Sequence, residues 1–318
     1  MGAAFFLFEF GSTSLKFHFK ERQGGEIRSV KVPWDVAQEV YQTGSILSST
    51  AERAAADIRA LLDRHAGGFD PSAAVAFATG IFREADNILE FVFRIWRETG
   101  LKVRVISGDQ EAALLKAVFL RKNPPDRAFA FDLGSGSLQW VHAAPKDRTR
   151  RGSIPFGVMT LLRAATDDRG DFDVSRAESL ASRHLAKLEV VWPEVVLGTG
   201  GTVKAIARTL GNPAFDRENL GGLIARVVAE GPPEELKPHR RALFLPGMVL
   251  VHRLMREIGA QTVRYENLSV GRALLEKVLP FFCNPATPHP TLVWERIRFS
   301  EILPLPNAVW GMRQEAVR

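Results

Sequence analysis

Only one cysteine, Cys283, stands among the 318 residues, so no intramolecular disulfide can form and no thiolate-rich zinc site can be assembled. The seven histidines, at positions 18, 65, 142, 184, 239, 252 and 289, show no zinc-motif spacing. A reducing, cytoplasmic setting is expected. Long apolar runs are also missing. The apolar opening at 3–8 is broken by Glu9 and lacks a basic front or a small-residue cleavage site, and no stretch reaches transmembrane length. Phe6 occupies the position where a myristoylation signal wants Ser or Thr. No glycine loop ends in the Gly-Lys-Ser/Thr of a Walker motif. What the chain does have is 46% hydrophobic and 25% charged residues, enough for one large or two medium globular domains. Its net charge of +6 and pI near 9.7 suit an acidic partner.

The most informative feature is a phrase that occurs twice. FEFGSTSLKFHF, from Phe8 to Phe19, returns as FDLGSGSLQWVH, from Phe131 to His142. Each copy reads as an apolar strand interrupted by one acid (Glu9, Asp132), a small-residue turn, and a second strand. A carboxylate flanked by apolar residues in a strand costs several kcal/mol to bury, roughly, unless a cation or donors compensate it. The turns Gly11-Ser12-Thr13-Ser14 and Gly134-Ser135-Gly136-Ser137 let backbone N–H groups converge, and their hydroxyls add donors. Acid plus donor loop points to metal plus phosphate. An ordinary hairpin is the alternative for either copy alone. A third loop, Gly198-Thr199-Gly200-Gly201-Thr202, follows a short apolar strand and leads into a helix, with Thr202 as the expected N-cap.

Three further segments stand in order around these: Ala78-Thr79-Gly80-Ile81-Phe82-Arg83, Val105-Ile106-Ser107-Gly108-Asp109-Gln110-Glu111-Ala112, and Arg241-Ala242-Leu243-Phe244-Leu245-Pro246-Gly247. Together the motifs resemble the exopolyphosphatase/guanosine pentaphosphate phosphohydrolase family, of the actin, hexokinase and Hsp70 fold superfamily, from about Glu9 to about Leu279. The resemblance implies an α/β protein of two actin-like ATPase (ribonuclease H-like) domains with a cleft between them. It implies that Glu111 is the catalytic carboxylate that orients or deprotonates water and that Arg83 contacts the transferred phosphoryl group. By the same resemblance, Asp132 and Glu9 would hold Mg²⁺ (or Mn²⁺), and Gly11 to Ser14, Gly134 to Ser137 and Gly200 to Thr202 would line a phosphate cradle. Several family positions have changed: Glu9 for Asp, Thr13 for Asn, Gly80 for a hydroxyl residue, Ser135 for Gly and Gln139 for a second acid. Late in the chain, Glu266-Asn267-Leu268 and Gly271-Arg272 replace Ser-Asp-Gly and Arg-Glu. Loss of the acid at 139 weakens a hard-cation site.

On its own chemistry, Ser107-x-x-Gln110 predicts a capping box that sets Glu111 in a helix's first turn, where the helix dipole favours a carboxylate. An ionised carboxylate facing phosphate is repelled unless cations intervene, so Arg83 and a metal are its necessary partners; without the resemblance, Glu111 reads as a plain stabilising first-turn acid and Arg83 as a surface charge beside Glu84 and Asp86. Basic clusters at Lys146, Arg148, Arg150 and Arg151, and at Lys237, His239, Arg240 and Arg241, could grip a polyphosphate or be plain solvated loops. Neither is interleaved with aromatics, so a base-stacking nucleic-acid surface is not expected.

Periodicity predicts strands at 4–10, 15–19, 27–32, 73–78 and 103–106, with helices opening at 49–52, over 87–98 and at Glu111, making a first domain of 1–124 that ends at Asn123-Pro124-Pro125-Asp126. A second domain, 125–283, is read as strands at 128–132, 138–142, 150–154, 194–197 and 262–265, with helices at 158–165, 174–188, 203–209, 220–229 and 247–258. A last helix at 270–283 packs back onto the first domain in relatives. The tail 284–318, with Trp294, Phe299 and Trp310, should pack on its own chain or against a partner copy, which leaves a homodimer open. The reading as a whole is an Mg²⁺-dependent hydrolase that releases terminal phosphate from inorganic polyphosphate or guanosine pentaphosphate. The alternatives are a degenerate relative that senses or binds a phosphorylated ligand, and a sugar or acetate kinase on the same fold.

Overall fold

The structure is a computed structural model that describes residues 5–20, 26–65, 74–144, 148–188, 192–268 and 270–271. The expected terminal helix and the tail therefore lie outside the described residues, apart from Val270 and Gly271. The chain divides into two compact units, one built from Met1–Gln110 and joined by Gly271, the other from Glu111–Val270. Among the described residues no helix is long and apolar enough to cross a membrane.

In the first unit β1 (Phe5–Gly11), β2 (Ser14–Lys20) and β3 (Arg28–Pro33) form an antiparallel run. β4 (Ala74–Ala78) and β5 (Val103–Val105) add in parallel on the other side of β1, giving the order β3-β2-β1-β4-β5. Alternate residues of β1 and β2 point to one face, where Phe6, Phe8, Phe10, Leu15, Phe17 and Phe19 are all buried. They meet Ile58 and Leu62 of α2 (Ser48–His65) and Phe91 and Ile95 of α3 (Ile88–Thr99). Phe17 lies at the centre, stacked on Phe8 at 4.6 Å and Phe19 at 5.2 Å. A short helix absent from the sequence reading, α1 (Val36–Thr43), buries Val36, Ala37 and Val40 and ends on Gly44 at φ 77°.

The opposite face of that sheet carries the polar residues. Glu9 lies opposite Lys16, which lies opposite Lys31, and Leu7, His18 and Ser29 form the next row. Lys16 Nζ donates to Glu9 Oε1, and His18 Nε2 stands 3.8 Å from Glu9 Oε2 while its Nδ1 shares a hydrogen bond of 2.7 Å with Ser29 Oγ. Burial opposes ionisation of Glu9, but Lys16 and His18 outweigh it and hold its pKa at about 2 against an ordinary 4.5.

The second unit repeats this plan. β6 (Ala128–Leu133), β7 (Leu138–His142) and β8 (Arg150–Ile154) are antiparallel, and β9 (Val195–Thr199) and β11 (Thr262–Tyr265) continue in parallel from β6. A short edge strand missed in the sequence, β10 (Ala214–Asp216), pairs antiparallel with β11. One face packs on α5 (Val158–Ala165), α6 (Val174–Leu185) and α9 (Pro238–Glu257) through Phe129, Phe131, Leu161, Ala181 and Met248. The other receives α4 (Gly108–Leu120), whose Leu115 and Phe119 meet Ala128, Ala130 and Val141. α7 (Gly201–Thr209) and α8 (Arg217–Glu230) complete the unit. Two sheets of ribonuclease H-like strand order make this the twofold actin-like ATPase fold.

Sequence and structure differ at three helix starts, α8 beginning at Arg217 rather than 220 on an N-cap Asp216 whose side chain accepts from Asn219 N. α9 begins at Pro238 rather than near Gly247, because a proline in the first turn needs no amide partner and Pro246 is accommodated inside the helix. α7 begins at Gly201 on an N-cap Gly200 with φ 96°, so Thr202 is not the cap.

Two outcomes follow. Phe17→Ala should remove about 4 kcal/mol from the unfolding free energy, read by chemical denaturation. The ionised Glu9 adds stability above its unfolded pKa, and this is lost as pH falls from about 4.5 toward 2. Glu9→Gln should therefore be less stable than the parent by roughly 3 kcal/mol above pH 5, with the gap closing toward pH 2 in acid titrations followed by circular dichroism.

Candidate active site

In the first unit, the turn after β1 is closed by pairing of Gly11 with Ser14, and the surrounding chain is drawn onto it. Trp34 donates its indole N–H to Gly11 O at 2.6 Å, and its backbone N–H to Thr13 O. Ala37, in the first turn of α1, donates its amide to Ser12 O at 3.1 Å. Ser12 Oγ in turn accepts from Ile81 N at 3.4 Å, at the start of the 3₁₀ turn Gly80–Arg83. Gly80 has φ 58°, and an added Cβ would sit 2.9 Å from Ser12 Oγ. The positive φ is what favours glycine there, since the contact is with the end of a side chain that can turn aside. Arg83 closes the turn and donates to Ile106 O at 3.0 Å, so it is fixed beside the segment that leads into α4. Ser12 and Arg83 are thus carried by abutting turns. Glu9 is instead committed to Lys16 on the sheet face.

The second unit holds the corresponding turn in the corresponding way. Gly134 N donates to Ser137 O at 2.9 Å, and the amides of Val158 and Met159, at the start of α5, donate to Gly134 O and Ser135 O. Gly157 is the residue that allows this approach: a Cβ there would lie 2.5 Å from both Ser135 O and Ser137 N. The third loop closes on the same place. A Cβ on Gly200 would lie 2.8 Å from Asp132 Oδ1 and 2.8 Å from Leu133 O, and one on Gly201 would collide with the Arg240 guanidinium. The structure therefore brings Asp132, Gly134 to Ser137, Gly200 to Thr202 and Arg240 together at one end of the second sheet. Burial lowers the pKa of Arg240 from its ordinary value, as expected of a guanidinium drawn out of water.

Register shows which side chains share a face. Thr199, Asp132, Gln139 and Ser153 are directly opposite one another across β9, β6, β7 and β8, a polar row at the end of a face otherwise made of Ala128, Ala130 and Val141. α4 crosses this face with Glu111, Leu115 and Phe119 on one stripe, four residues apart. The expected capping box is present in both directions: Gln110 N donates to Ser107 Oγ at 3.2 Å, and Ser107 N to Gln110 Oε1 at 2.7 Å. Glu111 reaches the polar row, where Gln139 Nε2 lies 3.4 Å from Glu111 Oε2. The same nitrogen is 2.8 Å from Ser137 Oγ and 3.1 Å from Ser153 Oγ. Thr199 Oγ1 accepts from Leu268 N.

The donor set bears on a metal. Among the described residues no three His, Cys, Asp or Glu side chains converge in a way that could hold an ion. Asp132 remains a carboxylate beside the glycine loops, and Mg²⁺ commonly takes one or two carboxylates plus substrate phosphates. That arrangement fits Asp132. Glu9, with its charge already answered by Lys16, does not suit the role. Gly157 and Ser153 escaped the sequence reading, and Thr199 entered it only as part of the third loop; the registers across from Asp132 and Gln139 are what place the last two in this row.

Of the basic clusters, Arg241 is turned to the carbonyls of Leu236 and Glu234 at 3.2 and 2.6 Å, a local brace before α9. Arg148, Arg150 and Arg151 are exposed, and Lys146 lies outside the described residues.

Comparison with known proteins accords with this architecture. The model of the Ppx/GppA phosphatase family matches residues 26–279. A crystal structure of the Aquifex aeolicus member of that family is 20% identical, with a TM-score of 0.67 over 87% of this chain and 98% of that one. An exopolyphosphatase from Cytophaga hutchinsonii is 17% identical, with a TM-score of 0.71 over 87% of this chain and 98% of its own. These structures share the fold, and the family match spans both units: the chain belongs to the Ppx/GppA phosphatase family.

Proposed function

We propose that the protein is a divalent-cation-dependent phosphohydrolase that removes the terminal phosphate of inorganic polyphosphate, with guanosine pentaphosphate as the other substrate of the same chemistry. The observation that carries the reading is the gathering of Glu111, Asp132 and two glycine turns at one end of the second sheet. Polyphosphate is favoured by a net charge of +6, which speeds encounter with a polyanion.

In this reading Glu111 holds a water in line with the terminal phosphorus and accepts its proton as the new P–O bond forms and the bond to the bridging oxygen breaks. Backbone N–H groups of the second unit's glycine turns, with Ser135 and Ser137, donate to the non-bridging oxygens, and Arg240 supplies positive charge to them. Asp132 would hold Mg²⁺ or Mn²⁺, which when bound neutralises phosphate charge. A carboxylate that must approach a polyanion needs such cations.

A second reading, a non-catalytic receptor for a phosphorylated ligand, is favoured by the Glu9–Lys16 ion pair and by the amide at Gln139, which leave fewer carboxylates for a cation. Calorimetry with polyphosphate separates them: tight binding without turnover across Mg²⁺, Mn²⁺ and Ca²⁺ selects the receptor. For the hydrolase, purified protein with Mg²⁺ should release phosphate from polyphosphate, and Glu111→Gln should slow release by roughly 100-fold or more. Equal rates in the two proteins would remove Glu111 from the mechanism.

A further inference from the structure

Gln139 is buried, 5% exposed, and its side-chain nitrogen faces three oxygens: Ser137 Oγ, Ser153 Oγ and Glu111 Oε2. An ionised carboxylate can only accept, so the amide must turn its N–H₂ and not its carbonyl toward Glu111. The two serine hydroxyls, which can accept or donate, are compatible with that choice of face. Ser137 ends the second glycine turn, and Ser153 lies directly across from Gln139 on β8. The amide is thus braced by the turn on one side and the neighbouring strand on the other, and it reaches α4 through Glu111. Glu111 projects from α4, which Leu115 and Phe119 anchor to the same sheet face one and two turns later. Backbone packing therefore places the Glu111 Cα, and the amide restricts where its carboxylate can point.

We propose that Gln139 is a positioning residue that holds the Glu111 carboxylate as a proton acceptor through a neutral amide, braced by Ser137 and Ser153. The inference rests on the reading of Glu111 as the residue that acts on water. It concerns the one place in the polar row where an amide stands between carboxylates. A second acid at 139 would put two acceptor oxygens at about the present N···O separation, a pair that needs a proton or a cation between them. The neutral amide fills the same volume and leaves Glu111 ready to accept.

The test uses the full chain and polyphosphate with Mg²⁺. Gln139→Met keeps the volume and removes the donors; kcat should fall roughly 10-fold to 100-fold with KM changed less than about 2-fold and the melting temperature nearly unmoved. Ser153→Ala, which removes one brace from an edge strand, should lower kcat on the order of 3-fold and serves if Gln139→Met does not fold. Gln139→Glu should bind Mn²⁺, followed by electron paramagnetic resonance without substrate, at least about 10-fold tighter than the parent, because it creates the carboxylate pair. Wild-type kcat in Gln139→Met and Ser153→Ala, beside an inactive Glu111→Gln, would overturn the positioning role and leave the hydrolase reading standing. Mn²⁺ affinity unchanged in Gln139→Glu would show that residue 139 does not face Glu111 and would also overturn it. Turnover undiminished in Glu111→Gln, or no turnover in the parent, overturns both.

Discussion

A carboxylate built into a sheet between apolar neighbours must be met by positive charge or by hydrogen-bond donors, and the two units meet this demand differently. The repeated phrases align without a gap, so Glu9 corresponds to Asp132 and Lys16 to Gln139. In the first unit the cross-strand pair is charged: Lys16 reaches over to Glu9, and the acid is satisfied within its own sheet, with a pKa held near 2. In the second unit the equivalent cross-strand residue is an amide, and its nitrogen turns away to Ser137, Ser153 and Glu111. Asp132 stands instead against the third glycine loop, close enough that Gly200 cannot carry a side chain. One unit has closed its acid off; the other keeps it next to the loops.

The backbone around the turns is more alike than the side chains. In each unit the helix after the third strand points its first amides at a turn carbonyl, α1 at Ser12 O and α5 at Ser135 O. In each, the first glycine packs its Cα near the carbonyl of the fourth residue, Ser14 or Ser137. Using the carbonyls for helix starts in this way orients the peptide planes, which is how a short turn can be stiff enough to present donors. Stiffness here comes from neighbouring elements, and so from glycines at points of contact such as Gly80, Gly157 and Gly200, outside the repeated phrase itself.

That explains much of what the sequence disclosed and what it hid. Strands β1, β2, β6 and β7 were legible because a period-2 pattern of Phe and Leu broken by one acid is a strong local signal. The Ser107–Gln110 box was legible because capping depends on residues three apart. α1 was not, although its repeat counterpart α5 was: its apolar residues Val36, Ala37 and Val40 are few, and what holds it is the distant contact with Ser12. β10 is three residues long and exists only through its pairing with β11. At the site, the acids and glycines could be named from spacing. That Lys16 consumes Glu9, or that Ser153 braces Gln139, depends on cross-strand register, which no local pattern contains.

Under the proposed function, register also decides how the second unit would deal with a polyanion. A carboxylate at 139 would strengthen any protein-held cation, yet it would repel phosphate, by about 4 kcal/mol for two unit charges 4 Å apart at an effective dielectric of 20. An amide there gives up the first effect and escapes the second. The balance favours the amide when the cation does not need a protein cage, and Mg²⁺ bound to phosphate oxygens needs only one or two carboxylates. In the proposed reading Asp132, beside Gly200, would supply one, while Glu111, the other acid of this face, would stay an acceptor held by Gln139. For the proposed substrate, itself a chain of phosphates, such an arrangement would give the carboxylates separate tasks, one toward the cation and one toward water.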